Sequence, residues 1–231
     1  MADISGGLSS SMTDLMTSLA VIFILLLVAS LNNVQQEGQQ TRNDILLRLQ
    51  EKLSKELYEY RDQGFELKND PKDPLGLIIV VPEGLLNFAV NRADIPPAGV
   101  TFLQRITPKL AETVCSEDFR SEMNSIVVEG HTDSTGTDET NLPLSQARSM
   151  SVVGASLQIL KTDATGAAQH RGCFLDLVSA TGRGSVEPLL DDAGSEDLAR
   201  SRRVVFKLRT RSLEQKVVDR TVGSFDGQGI R

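Results

Sequence analysis

Asp14 is the one charged residue in an apolar run from Met12 to Leu31, through Leu15-Met16-Thr17-Ser18-Leu19 and on to Val21-Ile22-Phe23-Ile24-Leu25-Leu26-Leu27. A charge at mid-bilayer costs about 2.5–3.5 kcal/mol on insertion scales, so an ionisable group in such a run marks ion traffic by default. A carboxylate there can take up a proton and release it where a water path or a basic group is offered. Thr17 and Ser18, one turn on, can hydrogen-bond it in either state, or can equally serve as small helix-packing residues. Asp14 has a plainer reading too: with Ser11 or Thr13 as cap, it complements the positive end of a helix dipole. The other residues able to do chemistry are His131, His170, Cys115 and Cys173. They form no four-ligand zinc spacing, so no metal, cofactor or enzymatic activity is expected. The two cysteines are compatible with one disulfide in an oxidising compartment.

At 1.5 Å per residue, residues 12–31 match a hydrocarbon core of about 30 Å and predict a single transmembrane helix. A cleaved signal peptide needs a basic segment ahead of a shorter apolar one, and the first Lys or Arg is Arg42. Arg42, Arg48, Lys52 and Lys55 all follow the span, which weakly opposes an exported C-terminal side. A net charge of −7 argues against nucleic-acid binding.

Residues 32–76 read as a connector. Leu46, Leu49, Leu53, Leu57 and Tyr60 recur at helical spacing and predict an amphipathic helix, either a dimerisation seam or a helix lying on its own domain. Asp70-Pro71 and Asp73-Pro74 end it. Four apolar runs then predict strands: 77–82, 125–130, 173–180 and 202–208. Between them a helix opens at Pro96-Pro97, and another near Asn141 turns Leu144, Ala147, Val152, Leu157 and Leu160 inward. The fold class expected is α+β, with helices on one face of a mixed sheet in a βαβαββ order. The organisation expected is a short cytoplasmic N-terminus (1–11), the span (12–31), the linker (32–76), a domain (77–210) and a flexible tail (211–231).

Gly130-His131-Thr132-Asp133, Gly136, Asn141, Leu144-Ser145, Arg148, Gly182-Arg183-Gly184 and Arg202-Arg203-Val204, with Leu86-Asn87-Phe88 upstream, resemble the OmpA-like peptidoglycan-binding domain. The resemblance implies that Asp133 and Arg148 clamp the zwitterionic end of diaminopimelate in the wall peptide, with Thr132 and Asn141 in support. Carboxylate-to-ammonium and guanidinium-to-carboxylate pairing is the strong, charge-assisted form of hydrogen bonding. The residues alone also permit a simple Asp133–Arg148 ion pair with Asn141 as a helix cap.

Met12-Thr13-Asp14-Leu15-Met16-Thr17 ahead of such a domain resembles the B subunits of ion-driven stator motors, and among them the Zorya anti-phage motors more than flagellar MotB. The resemblance implies a homodimer standing inside five MotA-like (ZorA-like) subunits in the inner membrane. The N-terminus would be cytoplasmic and the domain periplasmic. Asp14 would carry H+, with Na+ possible, while the wall-bound domain stands still. A Cys115–Cys173 disulfide would fit that exported location. A flagellar stator subunit or a passive wall anchor are the alternatives.

Overall fold

The computed structural model describes residues 5–164, 166–212, 215, 216 and 218; at 5–14 and 33–43 only the backbone is described. The chain divides into an N-terminal unit ending at Asn43 and a second beginning at Asp44. Helix α1, Ser5–Glu56, contributes to both. In the first unit its stretch Leu15–Asn32 is long and apolar enough to cross a membrane, and none of it is buried by protein. A helix apolar all round needs an apolar medium.

The second unit is built on a five-stranded sheet of order β1-β2-β5-β3-β4. The strands are β1 (Glu66–Asn69), β2 (Gly76–Pro82), β3 (Met123–His131), β4 (Val178–Gly182) and β5 (Arg203–Thr210). β3 and β4 are parallel and the other pairs antiparallel. The expected βαβαββ order holds for β2 to β5. Between β2 and β3 lie α2 (Glu83–Leu86), α3 (Pro97–Val114) and α4 (Glu117–Arg120). Next come α5 (Asp138–Thr162) and α6 (Arg171–Leu177) before β4, and α7 (Leu198–Ser201) before β5. Pro97 pre-sets the first turn of α3, and Phe102, Leu103, Ile106, Leu110 and Val114 bury its inner face.

Helix α5 lies against β3 and β4, and two glycines let it come close. Gly130 and Gly182 are register partners. A Cβ on Gly130 would sit 2.1 Å from the Ser145 carbonyl oxygen, and one on Gly182 2.5 Å from the Gln146 nitrogen. Ser145 then accepts from the Gly184 amide at 2.9 Å and donates to the Leu142 carbonyl at 2.8 Å. The buried stripe of α5 starts polar, with Asn141, Ser145, Arg148 and Ser149, and turns apolar only from Val152. Ala147, expected inside, is exposed.

Several expectations are corrected. The seam of Leu46, Leu49, Leu53, Leu57 and Tyr60 is buried in the domain's own core rather than held out for a second copy. Residues 44–76 therefore belong to the domain, and Glu66–Asn69 add a strand where a connector was expected. Residues 173–177 are helical, the strand beginning only at Val178. Cys115, at the end of α3, and Cys173, in α6, form a disulfide with Cα atoms 6.1 Å apart. Part of the expected tail is held: Arg211 Nε donates to the Met123 carbonyl at 2.9 Å and Lys216 pairs with Glu122. Its residues 219–231, like residues 1–4, lie outside the described residues.

Candidate functional site

Strand pairing decides which residues meet at one end of the sheet. Arg203 on the central strand pairs with Pro82 on one side and His131 on the other. The next residues out, Glu83, Arg202 and Thr132-Asp133, therefore leave the sheet together. The Glu83 amide donates to the Arg202 carbonyl at 3.1 Å, fixing the first of these junctions. The close approach of α5 brings Asn141 and Arg148 to the same end, and a cavity of about 310 Å³ opens among these side chains, with Phe88 and Leu144 as apolar walls.

Asp133 is 5% exposed. Its Oδ1 accepts from the Thr135 amide at 3.0 Å and from the Thr135 hydroxyl, and its Oδ2 from Arg202 Nη1 at 2.6 Å. Burial alone raises the pKa of this carboxyl, but the Thr135 and Arg202 bonds outweigh it and hold it below 3.8. Two backbone-directed bonds of Asn141 Nδ2, to the carbonyls of Asp133 (3.3 Å) and Thr135 (3.1 Å), keep the loop in place.

Arg148 is also 5% exposed. Its Nε donates to the Arg92 carbonyl at 3.0 Å, its Nη2 to the Ala89 carbonyl at 3.2 Å, and its Nη1 lies 3.2 Å from Glu83 Oε1. The Phe88 ring lies under the guanidinium, 4.9 Å from centroid to Cζ. Burial pulls its pKa down and Glu83 opposes this; a guanidinium stays charged regardless. Of the five N–H donors of an arginine, two are left without one of these partners. The Thr132 hydroxyl is buried and has no partner, so the cavity holds an unused donor beside an ionised carboxylate and a fixed guanidinium. Such a set can receive one ammonium and one carboxylate together.

The structure brings Thr132, Asp133, Asn141 and Arg148 to one cavity. Asp133 and Arg148 do not pair with each other: Arg202 holds the first and Glu83 the second. Asn141 is no cap either, since Thr137 precedes the first turn of α5. The sequence reading gave Glu83, Arg202 and Phe88 no role at this site. The last two stood in its motif, whereas Glu83 has no local signal beyond following Pro82 at the end of an apolar strand. In the N-terminal unit Thr17 and Ser18 stand exposed on α1, and the Asp14 side chain lies outside the described residues. Among the described residues no group of three His, Cys, Asp or Glu side chains could hold a metal ion.

Residues 87–202 match the OmpA family, just over half of the chain, and the chain belongs to that family. It is 27% identical over 215 residues to Zorya protein ZorB of Escherichia coli (Crooks strain), spanning 87% of this chain and 86% of that one. It is 30% identical over 127 residues to the peptidoglycan-binding protein ArfA of Mycobacterium tuberculosis, 55% of this chain and 33% of ArfA. A MotB-like protein from Desulfovibrio vulgaris shares the fold, with a TM-score of 0.50 at 22% identity over 77% of this chain and 99% of the other.

Proposed function

We propose that this chain is a MotB-like stator subunit that anchors an ion-driven Zorya-type anti-phage motor to peptidoglycan. The observation that carries the reading is the shared cavity of Asp133 and Arg148, each buried and each with bonding capacity left over. There the ammonium of a diaminopimelate centre adds to Asp133 while its carboxylate meets the open N–H groups of Arg148 and the Thr132 hydroxyl. Likeness to ZorB over most of both chains supports the motor assignment, and likeness to ArfA supports the wall ligand. The apolar stretch Leu15–Asn32 is the single span, with the N-terminus cytoplasmic and the domain in the periplasm, where the wall lies. The Cys115–Cys173 bond fits an oxidising compartment. One helix encloses no path, so ion passage takes a polytopic MotA-like (ZorA-like) partner. A dimer of this chain inside a ring of five such partners, with Asp14 accepting H+, is the working arrangement.

Alanine is a poor probe here, because Arg148 also holds the carbonyls of Ala89 and Arg92, and a buried charge left unpaired costs about 3–5 kcal/mol. Asp133→Asn and Arg148→Lys keep size while removing the charge or the fork. Full-length protein in detergent, mixed with purified sacculi and sedimented, should bind about 10- to 100-fold more weakly in either variant, the worth of one charged hydrogen bond. Unchanged binding by variants whose melting temperature matches the parent's would remove wall anchoring from this cavity.

A further inference from the structure

The cavity contains a second carboxylate and a second guanidinium that the wall-binding reading does not use. Glu83 spans both arginines: Oε1 lies 3.2 Å from Arg148 Nη1, and Oε2 pairs with Arg202 Nε. Arg202 in turn reaches Asp133 Oδ2 at 2.6 Å. The four side chains form one unbroken row, Arg148, Glu83, Arg202, Asp133, whose signs alternate and whose formal charges cancel. Take away Glu83 and two guanidiniums face one carboxylate across the same space. Burial is the main cause that lowers the Arg148 pKa; of the neighbouring charges, Glu83 opposes that and Arg202 adds to it.

We propose that Glu83 sets the charge selectivity of the cavity, making it neutral so that it takes a zwitterionic ligand end in preference to an anionic one. This rests on the wall-binding reading and adds what selects the ligand: an ammonium and a carboxylate on one carbon are balanced against a site of zero net charge. A dicarboxylate without the amino groups gains from the arginines but is repelled by Glu83 and Asp133 together, and so it is rejected. Glu83 is well placed for this. It is the first residue of α2, its amide is tied to Arg202 just ahead of the central strand, and its side chain is only 19% exposed, so the charge acts where water screens it little. It is a positioning and selecting residue, because its contacts are to both guanidiniums rather than to the ligand.

Calorimetric titration of the full-length protein with meso-diaminopimelate and with pimelate, the same diacid without amino groups, tests the proposal. The parent should prefer diaminopimelate. In Glu83→Gln, which leaves an excess positive charge, the preference should fall at least tenfold, chiefly through tighter pimelate binding. In Arg202→Gln, which leaves an excess negative charge, it should rise, and in the double variant it should return to the parental value. Opposite movement and rescue by the second substitution distinguish charge balance from damage to the fold. A preference unmoved in Glu83→Gln, or moved in the same direction by both single variants, overturns the role of Glu83 and leaves wall binding standing. A parent that binds neither diaminopimelate nor sacculi overturns the wall reading itself.

Discussion

His131, next in the chain to the site residues Thr132 and Asp133, is 2% exposed, and neither ring nitrogen has a hydrogen-bond partner. It faces Glu129 on its own strand at 3.7 Å, Arg203 and Lys207 on β5, and Glu187 on the segment before α7, beside a second cavity of about 200 Å³. Burial lowers its pKa below 6.5, and Glu129 only partly offsets this. A lowered folded-state value means that the unfolded chain binds the proton more readily. The stabilisation is therefore complete above about pH 6.5 and is lost as pH falls from there through the folded-state value. Glu187 behaves differently: burial raises it, but Lys72 and Arg183 hold it down to about 2, so its contribution fades only well below the histidine window. Thermal melts between about pH 7 and pH 5 should show a falling melting temperature that His131→Gln flattens. An equal slope in that variant would put the acid sensitivity elsewhere. Of the site, the Asp133 and Arg148 positions were legible because their flanking motif is local in sequence. Glu83 was not, because Pro82 and Arg203 are neighbours only through strand pairing.

Some elements are legible in the sequence and others are not. The apolar β2 and β3 and the helix opened by Pro97 declare themselves, but Cys173-Phe174-Leu175-Asp176-Leu177 is an apolar run too short for periodicity to separate strand from helix. Glu66-Leu67-Lys68-Asn69 is too short and too polar to announce a strand; its partner Leu77-Ile78-Ile79-Val80 makes it one. Placing Cys173 in α6 makes its bond to Cys115 a link between helices, across 58 residues of sequence. By chain entropy a loop of this length is worth about 4 kcal/mol against the unfolded state. Cys115→Ala/Cys173→Ala protein should lose stability on that scale in urea melts while keeping its sacculus affinity, since neither cysteine lines the cavity. Loss of binding in a variant still folded at assay temperature would tie the bond to the site.

For the whole molecule, the proposed wall-binding cavity and the proposed ion-carrying Asp14 fall in different units, on either side of the Asn43–Asp44 division. Asp14→Asn keeps the shape and hydrogen bonding of the residue but cannot cycle charge. The variant should co-purify with the MotA-like partner, bind sacculi as the parent does, and give no phage protection in plaque assays. Full protection by an assembled variant would take Asp14 out of the mechanism. The apolar stretch Leu15–Asn32 was legible because a run of this length answers to one dimension, bilayer thickness. The true start of the domain was not, because the Leu46 to Tyr60 seam carries the same pattern whether it meets a partner or its own core. That start has a bearing on proteostasis. Four residues, Glu66–Asn69, cover the flank of a strand that reads Leu77-Ile78-Ile79-Val80-Val81, and they carry a Lys68–Glu66 ion pair on the outside. Displacing that guard would bare a row of amide and carbonyl groups on an uncharged, β-branched segment, the profile of an amyloid seed.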